Sequence, residues 1–146
     1  MVNDEILDLG SSVIVNANKQ EELVPAKGDG TAKAGDLCYI QTTDGTVAGT
    51  DLGNAELFVG IMKEHPVYGT ETAIPDGTPC TLVVPISGER YRIRCLDLGA
   101  NKQNGFGVDF SATAYKADGA VDINNAIAYL SDAYLDTATV CEVRWA

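Results

Sequence analysis

Apolar and polar positions alternate in short runs along this chain, and turn-forming pairs separate the runs. The runs cover 36–42, 56–63, 81–86, 90–96, 106–115 and 138–145. Asp-Gly, Asn-Gly and Ser-Gly pairs stand between or beside them, at 29–30, 44–45, 76–77, 87–88, 104–105 and 118–119. Asp and Asn tolerate left-handed backbone angles and Gly adopts them freely, so these pairs fit tight turns. The pattern predicts an antiparallel all-β domain.

The composition of single runs indicates how each strand is covered. The run 56–63 is apolar on both faces, which favours a strand that is covered on both sides. Pro85 cannot donate a hydrogen bond to a sheet, so 81–86 is expected at an edge or to end near this residue, with 90–96 as its hairpin partner. In 138–145, Trp145 shares a face with Cys141 and Val143, which places it in the core.

The segment 125–134 fits two structures. Ile127, Leu130 and Tyr134 stand at helical spacing, whereas 126–130 alone fits a strand. We favour the strand, because a turn near Asp136 would then lead into the last strand.

Residues 1–30 differ from the rest of the chain, and we divide the chain into an arm or first strand (1–30) and a β-barrel domain (31–146). The segment holds six acidic residues and two lysines, with one short β-prone run around Val13, Ile14 and Val15. An acidic segment can lie on a neighbouring surface and become ordered only on binding. The alternative is that Val13–Val15 is an ordinary strand of the same domain.

The charge composition of the chain limits the classes of partner that we expect it to bind. The chain has 146 residues, 10 basic and 21 acidic side chains and a net charge of -11. Binding to phosphates or to an anionic membrane surface needs clustered cations, so neither nucleic acid nor a membrane is an expected partner. The first residues lack the basic and apolar regions of a secretion signal, so we expect the chain to stay in the cytoplasm where it is made.

The sequence carries no pattern that is typical of catalysis. His65 is the single histidine and Pro66 follows it, so neither a catalytic triad nor a His-based metal site can be assembled. We therefore expect a protein that is not an enzyme and has no cofactor. The four cysteines lie in apolar runs without a C-x-x-C pair, which favours reduced core thiols over a structural disulfide.

The most informative cluster is the row Arg90, Arg92 and Arg94. In a strand all three project from one face, while the residues between them enter the core. Arginine pairs bidentately with carboxylates, so the row suits an interface between acidic copies of the same subunit. The alternative is a solvated strand face with acidic partners on the neighbouring strand.

The order of these runs resembles the small head decoration, or capsid-cementing, proteins of tailed viruses and prophages. Those proteins pair a "Gly-Asp-apolar" opening strand with an "apolar-Gly-apolar" strand and then Gly-rich hairpins. The segments that carry the resemblance are 33–39, 58–62, 76–85, 88–94, 126–130 and 139–144.

The resemblance covers about residues 33–145 and implies a small antiparallel β-barrel or β-tulip domain with an extended N-terminal arm. It also implies a virion protein on the capsid surface that binds the major capsid protein, stabilises the shell and forms a homotrimer. Val13, Ile14 and Val15 would then be the part of the arm that contacts the capsid. The acidic N-terminal segment of this chain is longer than that of the shortest members of the family, so the resemblance does not define how this chain attaches to the capsid.

A second function remains open. A receptor- or carbohydrate-binding β-module, such as part of a viral head fibre, would need exposed aromatic residues along a groove. Tyr115, Tyr129 and Tyr134 are the candidates for that groove.

Overall fold

Ten of the twelve described strands form two five-stranded assemblies that pack against each other, and the other two strands pair with one another. A computed structural model describes residues 2–3, 13–15, 21–97, 104–112, 115–119, 126–134 and 138–146. The described residues contain one short 3-10 helix, Ala55–Leu57, and are otherwise strands, turns and loops, as predicted for an all-β chain. The strands are β1 Val2–Asn3, β2 Leu23–Lys27, β3 Leu37–Ile40, β4 Val47–Gly49, β5 Gly60–Met62, β6 Pro79–Val83, β7 Arg90–Asp97, β8 Gly107–Phe110, β9 Ala117–Gly119, β10 Ala128–Leu130, β11 Ala133–Tyr134 and β12 Val140–Trp145.

The first assembly, here called the open sheet, has the strand order β2-β6-β5-β3-β4, and its neighbours are antiparallel. The sheet curls until its two edges meet at a bridge between Lys27 and Thr46. At this seam the Lys27 amide donates to the Gly45 carbonyl over 3.3 Å. Gly45 has a φ of +73° in the β3–β4 turn, which confirms the turn predicted at 44–45.

The second assembly, here called the barrel, closes on itself in the order β10-β12-β7-β9-β8. The closure is the antiparallel pairing of β8 with β10. One pair, β7 with β9, is parallel, so the predicted antiparallel barrel is present with a single exception. The barrel is also only half of the fold, because the open sheet adds a second layer that the sequence pattern did not predict.

The open sheet is covered on both faces, because alternate residues of its strands enter different clusters. Leu37, Ile61 and Val83 join the barrel's core cluster. The residues beside them in β3, β5 and β6 join a second cluster inside the curled sheet: Cys38, Met62 and Leu82. The two-sided cover predicted for 56–63 is confirmed within that run at β5.

Aromatic side chains continue the packing between the two assemblies. Phe58, from the loop before β5, lies with its ring centroid 5.2 Å from that of Phe110 and 5.6 Å from that of Trp145. Trp145 also meets Tyr91 edge-on at 6.4 Å. The placement of Trp145 against the core is therefore confirmed.

The described parts of residues 1–30 pair with the rest of the chain as strand segments. The Val13 carbonyl accepts from the Arg92 amide over 2.8 Å, and the Val15 amide donates to the Arg90 carbonyl over 3.2 Å. Ile14 forms an antiparallel bridge with Tyr91. Residues 2–3 pair with β11, and β2 pairs along its length with β6. The rest of the predicted arm, residues 1, 4–12 and 16–20, lies outside the described residues.

Several local predictions are wrong for identifiable reasons. Ser87-Gly88 forms a turn, but it leads from the open sheet into the barrel, so β6 and β7 are not hairpin partners. Asp118 and Gly119 lie inside β9, where they pair with β8. In the run 56–63 the 3-10 helix takes the first residues and the strand begins at Gly60. In contrast, 126–134 contains strands β10 and β11, as favoured above.

Within the described residues no helix has the length and apolar character that a membrane crossing requires.

Candidate functional site

The arginine row of β7 is divided by the structure into a buried end and an open end. Tyr91, Ile93 and Cys95 are buried in the barrel, as the alternation predicted. Arg94 is only 5% exposed. Arg90, at the other end of the row, is partly exposed.

Arg94 joins the barrel to the open sheet. Its Nε donates to the Ala34 carbonyl over 2.8 Å, and its Nη2 donates to the Thr70 carbonyl over 2.6 Å and to Glu71 Oε2 over 2.9 Å. A guanidinium with its donors directed in several directions satisfies such carbonyls well. The bonds of Arg94 are thus made within its own chain, and it does not offer the free donors that a subunit interface would use.

A second ionic contact crosses the same junction. Asp36 is almost fully buried, accepts from the Lys33 amide over 2.8 Å and lies 3.5 Å from the Lys116 ammonium. Burial raises the pKa of the Asp36 carboxyl, and the nearby Lys116 only partly offsets that effect. This contact positions the loop before β3 against the barrel.

Tyr115 forms a third link across the junction, in a strained backbone conformation. Its φ is +80°, which a non-glycine residue adopts at a cost. Its carbonyl accepts from the Leu37 amide over 2.7 Å, and its hydroxyl donates to the Asp29 carboxylate. A Cβ on Gly49 would lie 2.5 Å from the Tyr115 ring, so the tyrosine needs a glycine there.

These contacts place the predicted groove tyrosines in three different environments. Burial, and then the bond to Asp29, raise the pKa of Tyr115 to about 12. Tyr134 is 1% exposed and its hydroxyl accepts from the Glu142 amide over 2.7 Å. Of the three, Tyr129 lines a pocket, so the groove that would have joined all three tyrosines is not formed.

The pocket at Tyr129, here called the arginine pocket, lies at the open end of the arginine row and has a volume of about 260 Å³. A row of directly opposed residues crosses four barrel strands beneath it: Gly107 opposite Tyr129, Tyr129 opposite Arg144, and Arg144 opposite Arg90. The turn at Asn104–Gly105 and the residues Leu130 and Ser131 complete the lining.

The strand pairing of the barrel explains why two arginines meet in this pocket. Like charges directly opposite each other on antiparallel strands are destabilising, so Arg90 and Arg144 need an anion nearby. Glu142 supplies one carboxylate, with its Oε1 3.2 Å from Arg90 Nη1. Arg144 Nη1 instead donates to the Gly88 carbonyl over 2.9 Å. Among the contacts of the described residues, one carboxylate thus meets two guanidiniums, which leaves the pair positively charged in a chain whose net charge is -11.

The single histidine and the four cysteines make contacts within the fold. His65 accepts from the Val67 amide at Nδ1 over 3.1 Å, and its Nε2 lies 3.1 Å from the Pro79 carbonyl, so the ring holds a local turn. All four cysteines are buried and free. In the part of the chain that the structure describes, no group of three His, Cys, Asp or Glu side chains could hold a metal ion.

The predicted capsid-contacting residues lie on the edge of β7. Val13 is fully buried in the barrel's core cluster, and its amide donates to Glu64 Oε2 over 3.0 Å. In this arrangement the Val13 side chain packs in the core, and a contact of Val13 with a capsid stays a prediction. Ile14 and Val15 are half-buried, and their contact with a capsid stays a prediction.

The sequence pattern does not predict that Arg144 pairs with both Arg90 and Tyr129, because the neighbours of the last strand follow from the barrel closure. The pairing of β12 with both β7 and β10 joins residues that are far apart in the chain.

Comparison with solved structures finds chains of similar fold. No protein-family profile and no curated protein sequence matches this chain. Among solved structures, the chain is similar to the crystal structure of the head fibre gp8.5 N base in bacteriophage phi29. The TM-score is 0.57 with 9% sequence identity, and the match covers 87% of this chain and 95% of that chain. At this identity the likeness shows a shared fold.

Proposed function

We propose that this chain is a structural protein of a phage virion and is associated with the head. The observation that carries the proposal is the fold shared with a head fibre base over nearly the full length of both chains. Folds host many functions, so the proposal must be tested by binding. The earlier resemblance to capsid-cementing proteins supports the same class of protein.

In its finer form, the proposal is a capsid decoration protein, made in the host cytoplasm, that binds the major capsid protein lattice on the capsid surface and stabilises it. Repeated contacts with a lattice multiply a modest energy per site, so no single large interface is needed. The chain would act without catalysis or a cofactor, and neither nucleic acid nor a membrane would be its partner. Its net charge of -11 supports the last point.

We further propose that the functional unit is a homotrimer, since a head-to-tail interface can close into a ring. Arg90, Arg92 and Arg94 are the candidates for the subunit interface; of these, Arg90 also bonds Glu142 and Arg94 also bonds Ala34 and Glu71 within the chain. Light scattering after gel filtration should give three times the chain mass of 15.4 kDa. A monomer at high concentration would contradict the trimer.

Retention on capsids tests the proposed location. Purified protein, labelled at its amino groups, is mixed with capsids of the phage that encodes it, after the native copies have been removed, and the capsids are pelleted. Retention that saturates at a fixed number of copies per capsid supports the proposal. Recovery of the protein in the supernatant alone would contradict it.

The arginine pocket favours a second candidate function, a receptor- or carbohydrate-binding module of a head fibre. The pocket combines an aromatic side chain with charged and polar groups, as small-ligand sites do. Binding to a glycan array that is lost in Tyr129→Ala would support this function. Full retention on capsids without any glycan binding would favour decoration instead.

A further inference from the structure

The arginine pocket has the size and lining of a site for one small polar ring. Small-molecule sites are concave and combine an apolar surface with a few placed polar groups. At about 260 Å³ the pocket lies below the range for drug-sized ligands. The Asn104–Gly105 turn and Ser131 belong to its lining.

The charge of the pocket selects a ligand with a carboxylate. Arg90 and Arg144 face each other across the β7–β12 ladder, and one carboxylate, that of Glu142, contacts Arg90. A second carboxylate between the two guanidiniums would relieve their repulsion and could accept two parallel N–H bonds.

The neighbours of the arginines suit the rest of a sugar ring. Tyr129 lines the pocket and stands opposite Gly107, which has no side chain to cover the tyrosine ring. The face of an aromatic ring is electron-rich and attracts the weakly positive C–H groups of a sugar. Ser131 Oγ donates to the Glu142 carbonyl, which leaves its lone pairs to accept from a hydroxyl.

We propose that the arginine pocket binds a carboxylate-bearing sugar of the uronic acid class. Arg90 and Arg144 hold the carboxylate, and Tyr129 packs against the sugar ring. Asn104 and Ser131 supply polar groups at the rim. This inference rests on the carbohydrate-binding candidate function and names its site and ligand class.

The probes are methyl glucuronide, methyl glucoside and a blocked glutamate dipeptide, each titrated into isotope-labelled protein and followed by NMR. We expect methyl glucuronide to shift the amide signals of Gly105 and Ser131 and to bind at least tenfold more tightly than the other two. Equal binding of the dipeptide would make this a general carboxylate site and overturn the sugar assignment. Equal binding of the glucoside, or no binding of any probe, would also overturn it.

Three variants locate the site. Arg144→Gln removes one guanidinium and should weaken glucuronide binding about tenfold. Asn104→Asp places a negative charge at an exposed turn without touching the strand pairing, and it should weaken binding even if Arg144→Gln fails to fold. Lys63→Gln removes the same charge far from the pocket and should leave binding unchanged. An equal loss in Lys63→Gln would contradict the assignment.

Different results would contradict the sugar site in the arginine pocket and the carbohydrate-binding function. Binding of neutral glycans that is insensitive to Asn104→Asp would keep the carbohydrate-binding function and overturn the pocket. Capsid retention is measured on the same variants, so loss of sugar binding with normal retention leaves the head-associated role intact.

Discussion

Arg94 shows how the surroundings of one side chain decide its role. It is 5% exposed and bonds two carbonyls of the open sheet, those of Ala34 and Thr70. Ala34 is buried and Thr70 is half-buried, and both carbonyls accept hydrogen bonds from this guanidinium. Arg90, four residues earlier on the same face, is instead half exposed and pairs with a single carboxylate.

We expect Arg94→Met to lower the free energy of unfolding by about 3 kcal/mol, because it leaves buried carbonyls without donors. Glu71→Gln is the matched control, since it removes the charge of the same ion pair at a side chain that is 52% exposed. That change should cost less than about 1 kcal/mol. Urea unfolding measures both values, and equal losses would contradict the role assigned to the carbonyl bonds.

Tyr115 and Asp29 form the part of the junction that responds to acid. Burial raises the pKa of Asp29, but its bonds from Tyr115, Ala32 and Thr31 outweigh burial and hold the pKa below 3.8. A carboxyl whose pKa is lowered by folding stabilises the fold above its unfolded pKa, and this contribution is lost as the pH falls through the folded pKa.

Tyr115→Phe should therefore lower the free energy of unfolding by about 1 kcal/mol at pH 7, and the loss should shrink as the pH falls below 3.8. Tyr39→Phe, at a half-buried tyrosine outside the junction, should show little effect at either pH. Urea titrations at pH 7 and pH 3 measure the difference. A loss that is the same at both pH values would exclude the bond to Asp29 as its cause.

At the scale of the strand, β5 differs from an ordinary half-buried strand. Ile61 and Met62 are consecutive, so their side chains point to opposite faces, yet both are fully buried. One contributes to the cluster shared with the barrel and the other to the cluster inside the curled sheet.

Ile61→Ala and Met62→Ala should each lower the free energy of unfolding by about 2–5 kcal/mol, as large-to-small core changes do. Leu57→Ala, at a side chain that is 51% exposed, should change it by less than about 0.5 kcal/mol. Thermal unfolding compares the three. A strand buried on one face would show a large loss at only one of the two consecutive positions.

Alternation along a strand predicts which of its faces is apolar but not which strands are its neighbours. The faces of β12 follow from the alternation of Cys141, Val143 and Trp145, because each strand's own residues decide which side is apolar. The turn predicted at Asp118-Gly119 is wrong, because this pair lies in the short strand β9 and is held there by its pairing with β8. Strand order cannot be derived from alternation, so neither the second assembly nor the pocket at Arg144 and Tyr129 could be foreseen.

At the scale of the whole molecule, the cysteines are divided evenly between the two assemblies. Cys38 and Cys80 belong to the cluster inside the open sheet, whereas Cys95 and Cys141 belong to the barrel. Burial raises the pKa of the Cys80 thiol to about 11 and that of Cys38 well above its usual range, so neither reacts readily while the sheet is folded. Thiol labelling of Cys38 and Cys80 can therefore report the unfolding of the open sheet, and labelling of Cys95 and Cys141 that of the barrel.

Because the two assemblies share one apolar cluster, we expect them to unfold together. Thiol labelling in increasing urea, read by mass spectrometry, should expose all four cysteines at one midpoint. The fluorescence of Trp145, in the barrel, should change at the same concentration. Labelling of Cys38 and Cys80 ahead of the fluorescence change would mean that the open sheet unfolds alone.

The seam at Lys27 and Thr46 has a consequence for how copies behave when they are crowded. An unpaired sheet edge is a template on which another chain can stack, and cross-β fibrils grow in that way. Among the described residues the five strands of the barrel close on themselves, the edges of the open sheet touch at the Lys27–Thr46 bridge, and Pro25 on β2 has no N–H to donate to an added strand. Concentrated solutions are accordingly expected to resist fibril growth, with no rise in thioflavin fluorescence over days.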